Sequence, residues 1–288
     1  MTDAGAVGTF HPSTRAYRFA LLFFVGLLTY GSYFAYDVVG ALAPTLMGAW
    51  HTTQEGIGSL YTAYSVAAIF TVALGGYLAD RIGTRLAGIL LAAVVAIGAA
   101  MVALAPSLEV AIAGRFMFGA GSESLIVTQN AMLARWFRGK ELALSFGVTL
   151  AIARLGTLFS FNSASATASR FGWRSALWIA VLLCVVSLLC ALVYWLMDRK
   201  GERALGLAEA GAGDKIVLAD VKKFTASYWF VVLLCVTFYS AIFPFTALST
   251  DFFHEKWGLP LTTGGGGSFF AAVFRDILHM FSTAPGTS

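Results

Sequence analysis

Residues 76–85 read Gly-Tyr-Leu-Ala-Asp-Arg-Ile-Gly-Thr-Arg and lie between two uncharged runs, 56–79 and 86–108. A spanning helix needs roughly 20 apolar residues, so each flanking run is long enough to cross a bilayer. Within the turn, Gly76 permits close helix packing and Gly83 lets the backbone reverse. Asp80 and Arg81 end the first span at the water interface, and Arg85 opens the next one with a second cation. A short charged reversal between two apolar runs defines a polytopic helical membrane protein.

The rest of the chain agrees. Of 288 residues, 58% are hydrophobic and 12% charged, whereas a soluble domain carries roughly 25% charged residues. Mean hydropathy is +0.78. No stretch is polar enough for a separate soluble domain. Cys184, Cys190 and Cys235 all fall in apolar runs and read as small buried or lipid-facing residues. His11, His51, His254 and His279 are scattered without ligand spacing, so neither a metal site nor a cofactor is expected. The first apolar run is too long for a cleaved signal peptide and lacks a small-residue cleavage site. The net charge of +4 comes from short loops and speaks of topology, not of nucleic acid.

Charges punctuate seven expected spans, centred near residues 32, 67, 97, 121, 155, 186 and 238. The first continues past Asp37 to about Met47. Alternate loops differ in basic content: Arg15, Arg18, Arg81, Arg85, Arg135, Arg138, Lys140, Arg199, Lys200, Arg203, Lys215, Lys222 and Lys223 lie on one side, Arg170 and Arg174 on the other. The positive-inside rule then makes the N-terminus and the long connection at 198–225 cytoplasmic. In that connection Leu218, Val221 and Phe224 interleave with Asp220, Lys222 and Lys223, the pattern of a short amphipathic helix on the inner leaflet or, more plainly, of a flexible linker. Beyond His254 the tail holds Gly264–Gly267 and a run, Phe269–Phe281, too short and too charged to span. The chain stops where an eighth span is due and reads as a fragment.

Three charges sit inside expected spans, at a cost of about 2.5–3.5 kcal/mol each on insertion scales. Arg115 and Glu123 share the fourth span, roughly 12 Å apart along a helix. Arg154 lies near the centre of the fifth. One acid and one base at similar depth on consecutive helices make handles for a zwitterion: the planar fork of Arg154 for a carboxylate, Glu123 for an ammonium. The alternative is a buried Glu123–Arg154 or Glu123–Arg115 ion pair that holds helices together. Asn130, seven residues after Glu123, shares its face, and Gln129 adds further donors and acceptors. Tyr30, Tyr33 and Asp37 form an i, i+3, i+7 stripe on the first span, with Tyr33 a candidate cavity residue and Asp37 a candidate outer gate. Tyr239 and Pro244 suggest a bent seventh span.

The reversal at 76–85 resembles the G-x-x-x-D-R-x-G-R signature between the second and third helices of the major facilitator superfamily, with Thr84 where a basic residue is usual. "GRFMFGAGSES" (Gly114–Ser124) resembles the family's fourth-helix motif. "QNAMLARWFRGKELALSFGVTLAIARLG" (Gln129–Gly156), "WRSALW" (Trp173–Trp178) and "DVKKFTASYWFVVLLCVTFYSAIFPF" (Asp220–Phe245) look like the branch that includes the lysosomal dipeptide transporter. The resemblance implies an all-α membrane protein: the N-terminal six-helix half, a 3+3 inverted repeat, of a twelve-helix facilitator fold, plus a seventh span. It implies residues 1–197 as that half, 198–225 as the inter-half loop and 226–288 as the start of the second half. It further implies alternating-access transport of small zwitterions, dipeptides foremost, with Glu123 and Arg154 engaging the two ends of the dipeptide backbone. Asp80, Arg81, Gly83, Arg85, Asp37 and Arg115 would then serve gating, against a C-terminal half absent from this chain. The lipid bilayer and a small zwitterion are the expected partners.

Two other readings compete. An organic-anion or drug efflux carrier of the same superfamily is disfavoured because residues 147–161 contain no proline, where drug antiporters carry a Gly-Pro-rich stretch. A non-transporting receptor or scaffold would not require a midplane Glu and Arg. No phosphate-binding loop, metal cluster or Ser-His-Asp set points to an enzyme, and no catalytic residue is assigned. The compact Gly- and Ala-rich style points to a bacterial inner membrane; a eukaryotic member would sit in the lysosomal membrane, although no acidic dileucine signal precedes the first span.

Overall fold

The computed structural model describes residues 11–139, 141–206 and 224–257, and their regular structure is entirely helical. Helix α1 (Arg15–Ala41) starts at Thr14, whose hydroxyl accepts the Tyr17 N–H. The first apolar run, expected to continue to Met47 as one span, breaks at Leu42, and a short α2 (Ala43–Ala49) follows with Pro44 in its first turn. Proline has no N–H to carry the α1 ladder forward, yet suits the first turn of a new helix.

Helix α3 (Gln54–Leu104) contains the charged reversal. Its hydrogen-bonded course is interrupted at Gly83, with φ 80° and ψ 153°, a conformation that strains any residue bearing a Cβ. The two parts of α3 are separate spans. With α4 (Leu108–Phe137), α5 (Leu142–Phe171), α6 (Trp173–Leu205) and α7 (Ala226–Trp257), the seven expected spans are all present. The chain is an all-α membrane protein built as six spans plus a seventh.

One helix outruns its expectation. The uncharged run of the sixth span ends at residue 197, but α6 continues to Leu205 and is capped by Gly206 in the left-handed conformation at φ 61°. Asp198 and Gly201 of this extension face inward and are buried. The expected amphipathic stretch around Leu218–Val221 and the tail beyond Trp257 lie outside the described residues.

Because lipid tails are as apolar as leucine, helices in a membrane associate through close packing and inter-helix hydrogen bonds. Both appear here. A Cβ on Gly119 of α4 would come within 2.5 Å of the Tyr64 carbonyl oxygen of α3, so only glycine permits this approach. Helix α1 is sewn to its neighbours by hydroxyls: Ser160 and Ser165 of α5 donate to the carbonyls of Phe34 (3.1 Å) and Ala41 (3.3 Å), and Ser187 of α6 to that of Leu27 (3.0 Å). Leu21, Val25 and Leu28 of α1, with Phe118 and Leu125 of α4, fill the interior. Helix α7 leans on this body through Phe243, whose ring lies 6.0 Å from that of Tyr36.

Candidate substrate site and its neighbours

Helix α4 carries Glu123 near its middle, half-buried. The hydroxyl of Tyr64 donates a short hydrogen bond to Glu123 Oε1. The glycine approach between α3 and α4 makes this possible, because it sets the Tyr64 backbone directly against α4. From α5, Arg154 reaches in, also half-buried, with its guanidinium 5.3 Å from the centre of the Tyr33 ring. Tyr33 lies within electrostatic reach of both Glu123 and Arg154, and of Tyr239 from α7. These residues come from five spans: α1, the first part of α3, α4, α5 and α7.

The two charges are not paired with one another. Among the described residues, every ion pair lies elsewhere, and neither Glu123–Arg154 nor Glu123–Arg115 is one of them. Of the two readings left open by the sequence, the structural ion pair is therefore absent. Asn130 is exposed on the same helix. Asp37, in contrast, is only 6% exposed and lies within electrostatic reach of Arg154 and Arg115.

Other expected site residues are engaged inside the body. Gln129 is 2% exposed, and its amide donates to the Val25 carbonyl (2.5 Å) of α1, with Thr29 Oγ1 at 3.3 Å. It ties α4 to α1 instead of facing the cavity. Arg115, expected in a gate, is 1% exposed. It donates one hydrogen bond to the Ala35 carbonyl (3.2 Å), and the rings of Tyr36, Tyr61, Tyr64 and Phe118 surround its guanidinium at 5.1–5.5 Å. Four ring faces replace a carboxylate as its partner, each contact worth about 0.5–2 kcal/mol.

The charged reversal divides. Asp80 and Arg81 are exposed, Arg81 lying over the Tyr77 ring at 5.3 Å. Arg85 turns the other way, into its own half. Its Nε donates to Asp198 Oδ2 (2.5 Å), and its Nη2 meets Glu202. Asp198 is fully buried and also accepts from the Trp136 indole N–H (2.6 Å), with Arg135 Nε at 3.4 Å. Thr84, the residue that departs from the resembled signature, is buried with its hydroxyl 3.4 Å from Tyr194 Oη. A second charged centre thus joins α3, α4 and α6 at the basic end of the bundle. Sequence reading missed it, along with Tyr64, Tyr36 and Tyr61. Signals were present: Tyr61 and Tyr64 stand at i, i+3, and Asp198 and Glu202 at i, i+4.

The family model described as Major Facilitator Superfamily matches residues 22–284, and the chain belongs to that family. Among characterised relatives, the lysosomal dipeptide transporter MFSD1 of Danio rerio is 38% identical over 86% of this chain and 57% of its own length. The Homo sapiens protein of the same name is 35% identical over 94% of this chain and 60% of its own. The chain thus spans about three-fifths of the length of these relatives. Among solved structures, the nucleoside transporter NupG superposes with a TM-score of 0.63 at 15% identity, covering 85% of this chain and 62% of that one, a likeness of fold alone.

Proposed function

We propose that this chain supplies the first half of the translocation path of a secondary transporter for small zwitterions, dipeptides foremost, working by alternating access. One observation carries the reading: Glu123 and Arg154 stand half-buried on α4 and α5, form no ion pair with each other, and both lie within electrostatic reach of Tyr33. A buried charge is retained only with a partner, and a zwitterion supplies both partners at once. Arg154 takes the carboxylate, its fork held flat by the Tyr33 ring; Glu123 takes the ammonium, its rotamer held by Tyr64. The names of the MFSD1 relatives support the substrate class. Asn130 and Tyr33 would complete the lining. Asp80 and Arg81, exposed at the basic end, would close against the second half, with Gly83 shaping their turn and Asp37 near the opposite end of the path. Gln129, Arg85 and Arg115 would act by holding the helices that carry these groups.

The test uses the full-length transporter. In wild type, acetylating a dipeptide's amino group should weaken binding markedly. In Glu123→Gln the same acetylation should matter much less, because its contact is already gone. Equal losses in both proteins would reject the assignment of Glu123. The N-terminus is proposed to be cytoplasmic, in a bacterial inner membrane or a lysosomal one. Single cysteines at Gly211 and Ser169 test this with an impermeant thiol reagent: labelling at 169 and not at 211 from outside is expected, and the reverse would overturn it.

A further inference from the structure

The last turns of α6 have two faces of opposite character. Inward, Asp198 and Glu202 hold Arg85 and Arg135, and Gly201 lies so near the Trp136 indole that a Cβ would come within 2.2 Å of it. Outward, Arg199, Lys200 and Arg203 are exposed and, with Leu196 and Ala204, wall an open hollow of about 540 Å³. The acids of these turns are turned away and paired, so they do not neutralise the outward cations. The inward anchoring fixes the helix rotation, so the three cations are presented together on a rigid support.

Toward the membrane centre the same face becomes a stripe of exposed leucines: Leu182 at 61%, Leu189 at 54% and Leu196 at 58%. These residues recur at seven-residue spacing, one line along a helix. Trp195 marks the junction, half-buried, with the Arg199 guanidinium 5.4 Å from its ring centre, as interfacial tryptophans do. An exposed apolar helix face that ends in three cations at the interface is complementary to one kind of molecule. We propose that this face of α6 binds an anionic phospholipid, its phosphodiester among Arg199, Lys200 and Arg203 and an acyl chain along Leu196, Leu189 and Leu182. A zwitterionic headgroup fits less well, because its choline or ammonium would meet the same cations. The site is distinct from the zwitterion path, lying on the outer surface of a helix whose inner face holds Arg85.

The experiment measures lipid retention by native mass spectrometry on the purified full chain, titrated with phosphatidylglycerol or phosphatidylcholine. Phosphatidylglycerol should bind at least about tenfold more tightly, since each cation near an anionic headgroup adds a favourable increment. The triple change Arg199→Gln/Lys200→Gln/Arg203→Gln should abolish that preference. Arg199→Lys/Arg203→Lys, which keeps the charge, should retain most of it and controls for misfolding. Arg170→Gln/Arg174→Gln at the opposite end should leave it intact. Preference unchanged in the triple variant overturns the proposal. So does equal binding of soluble glycerophosphate, which would mark an anion site without lipid character. Capture of an acidic peptide at these residues with no preference among lipids would overturn it as well.

Discussion

Two charged centres lie in one half-barrel of helices, and they solve the cost of membrane charge in opposite ways. At the basic end, Arg85 and Arg135 meet Asp198 and Glu202, and the buried carboxylate of Asp198 accepts hydrogen bonds from Arg85 and Trp136 on two other helices, with Arg135 an ion-pair partner at 3.4 Å. Near the middle, Glu123 has a phenol and Arg154 has a ring face, with Asp37 within electrostatic reach of Arg154, and neither Glu123 nor Arg154 forms an ion pair among the described residues. The first centre is complete within the half, as a clamp that holds helix ends must be. The second is left without an ion pair, as the proposed zwitterion site would require. Charge near a facilitator's path is therefore not one signal. Pairing separates a structural role from a binding role.

The sharpest way to break this comparison is Asp198→Ala. Removing one partner of a buried pair leaves uncompensated charge, at a cost of about 3–5 kcal/mol. Thermal unfolding of the purified chain should show a large loss, partly relieved when Arg85→Gln is added. A midpoint unchanged from wild type would mean that the cluster is not the closed clamp described.

Glu123→Gln and Arg154→Ala should do the reverse, leaving thermal stability near wild type while dipeptide affinity of the full-length transporter falls about ten- to a hundredfold, from roughly 1.5–3 kcal/mol per charge-assisted hydrogen bond. Titration calorimetry reads both. Because no Glu123–Arg154 pair exists, the swapped Glu123→Arg/Arg154→Glu protein should not recover; recovery would return the site to a structural role.

Tyr64→Phe should act more gently. It keeps the ring under Arg115 but removes the hydroxyl that holds Glu123, so affinity should drop about fivefold, from roughly 1 kcal/mol. The loss should vanish in a Glu123→Gln background. Additive effects would show that Tyr64 acts elsewhere.

The smallest effect belongs to Glu141, at the exposed junction of α4 and α5, which pairs with Arg15 (2.6 Å) and Arg18 (3.7 Å). Partial burial works against its charge, but the arginines and its own backbone prevail and hold the carboxyl below its usual range. A depressed folded value means that the stabilisation is present above the unfolded value, near 4.5, and disappears as pH falls through the folded one. Glu141→Gln should lower the unfolding midpoint slightly at neutral pH and match wild type in strong acid. A gap that widens on acidification would contradict the pairing.

The sequence by itself determined the span count, the reversal at Gly83, the family and the membrane-embedded Glu123 and Arg154. These rest on local causes: twenty apolar residues must cross, a left-handed turn needs glycine, and a lone charge in such a run stands out against its neighbours. The tertiary structure decided everything that depends on partners from other helices. It turned Arg85 inward to Asp198, enclosed Arg115 in four rings, bound Gln129 to α1 and extended α6 through a stretch that reads as loop. Asp198 looks like an interfacial charge until Arg85 and Trp136 are placed beside it, because burial and pairing are properties of the packed helices and not of the span that carries the residue.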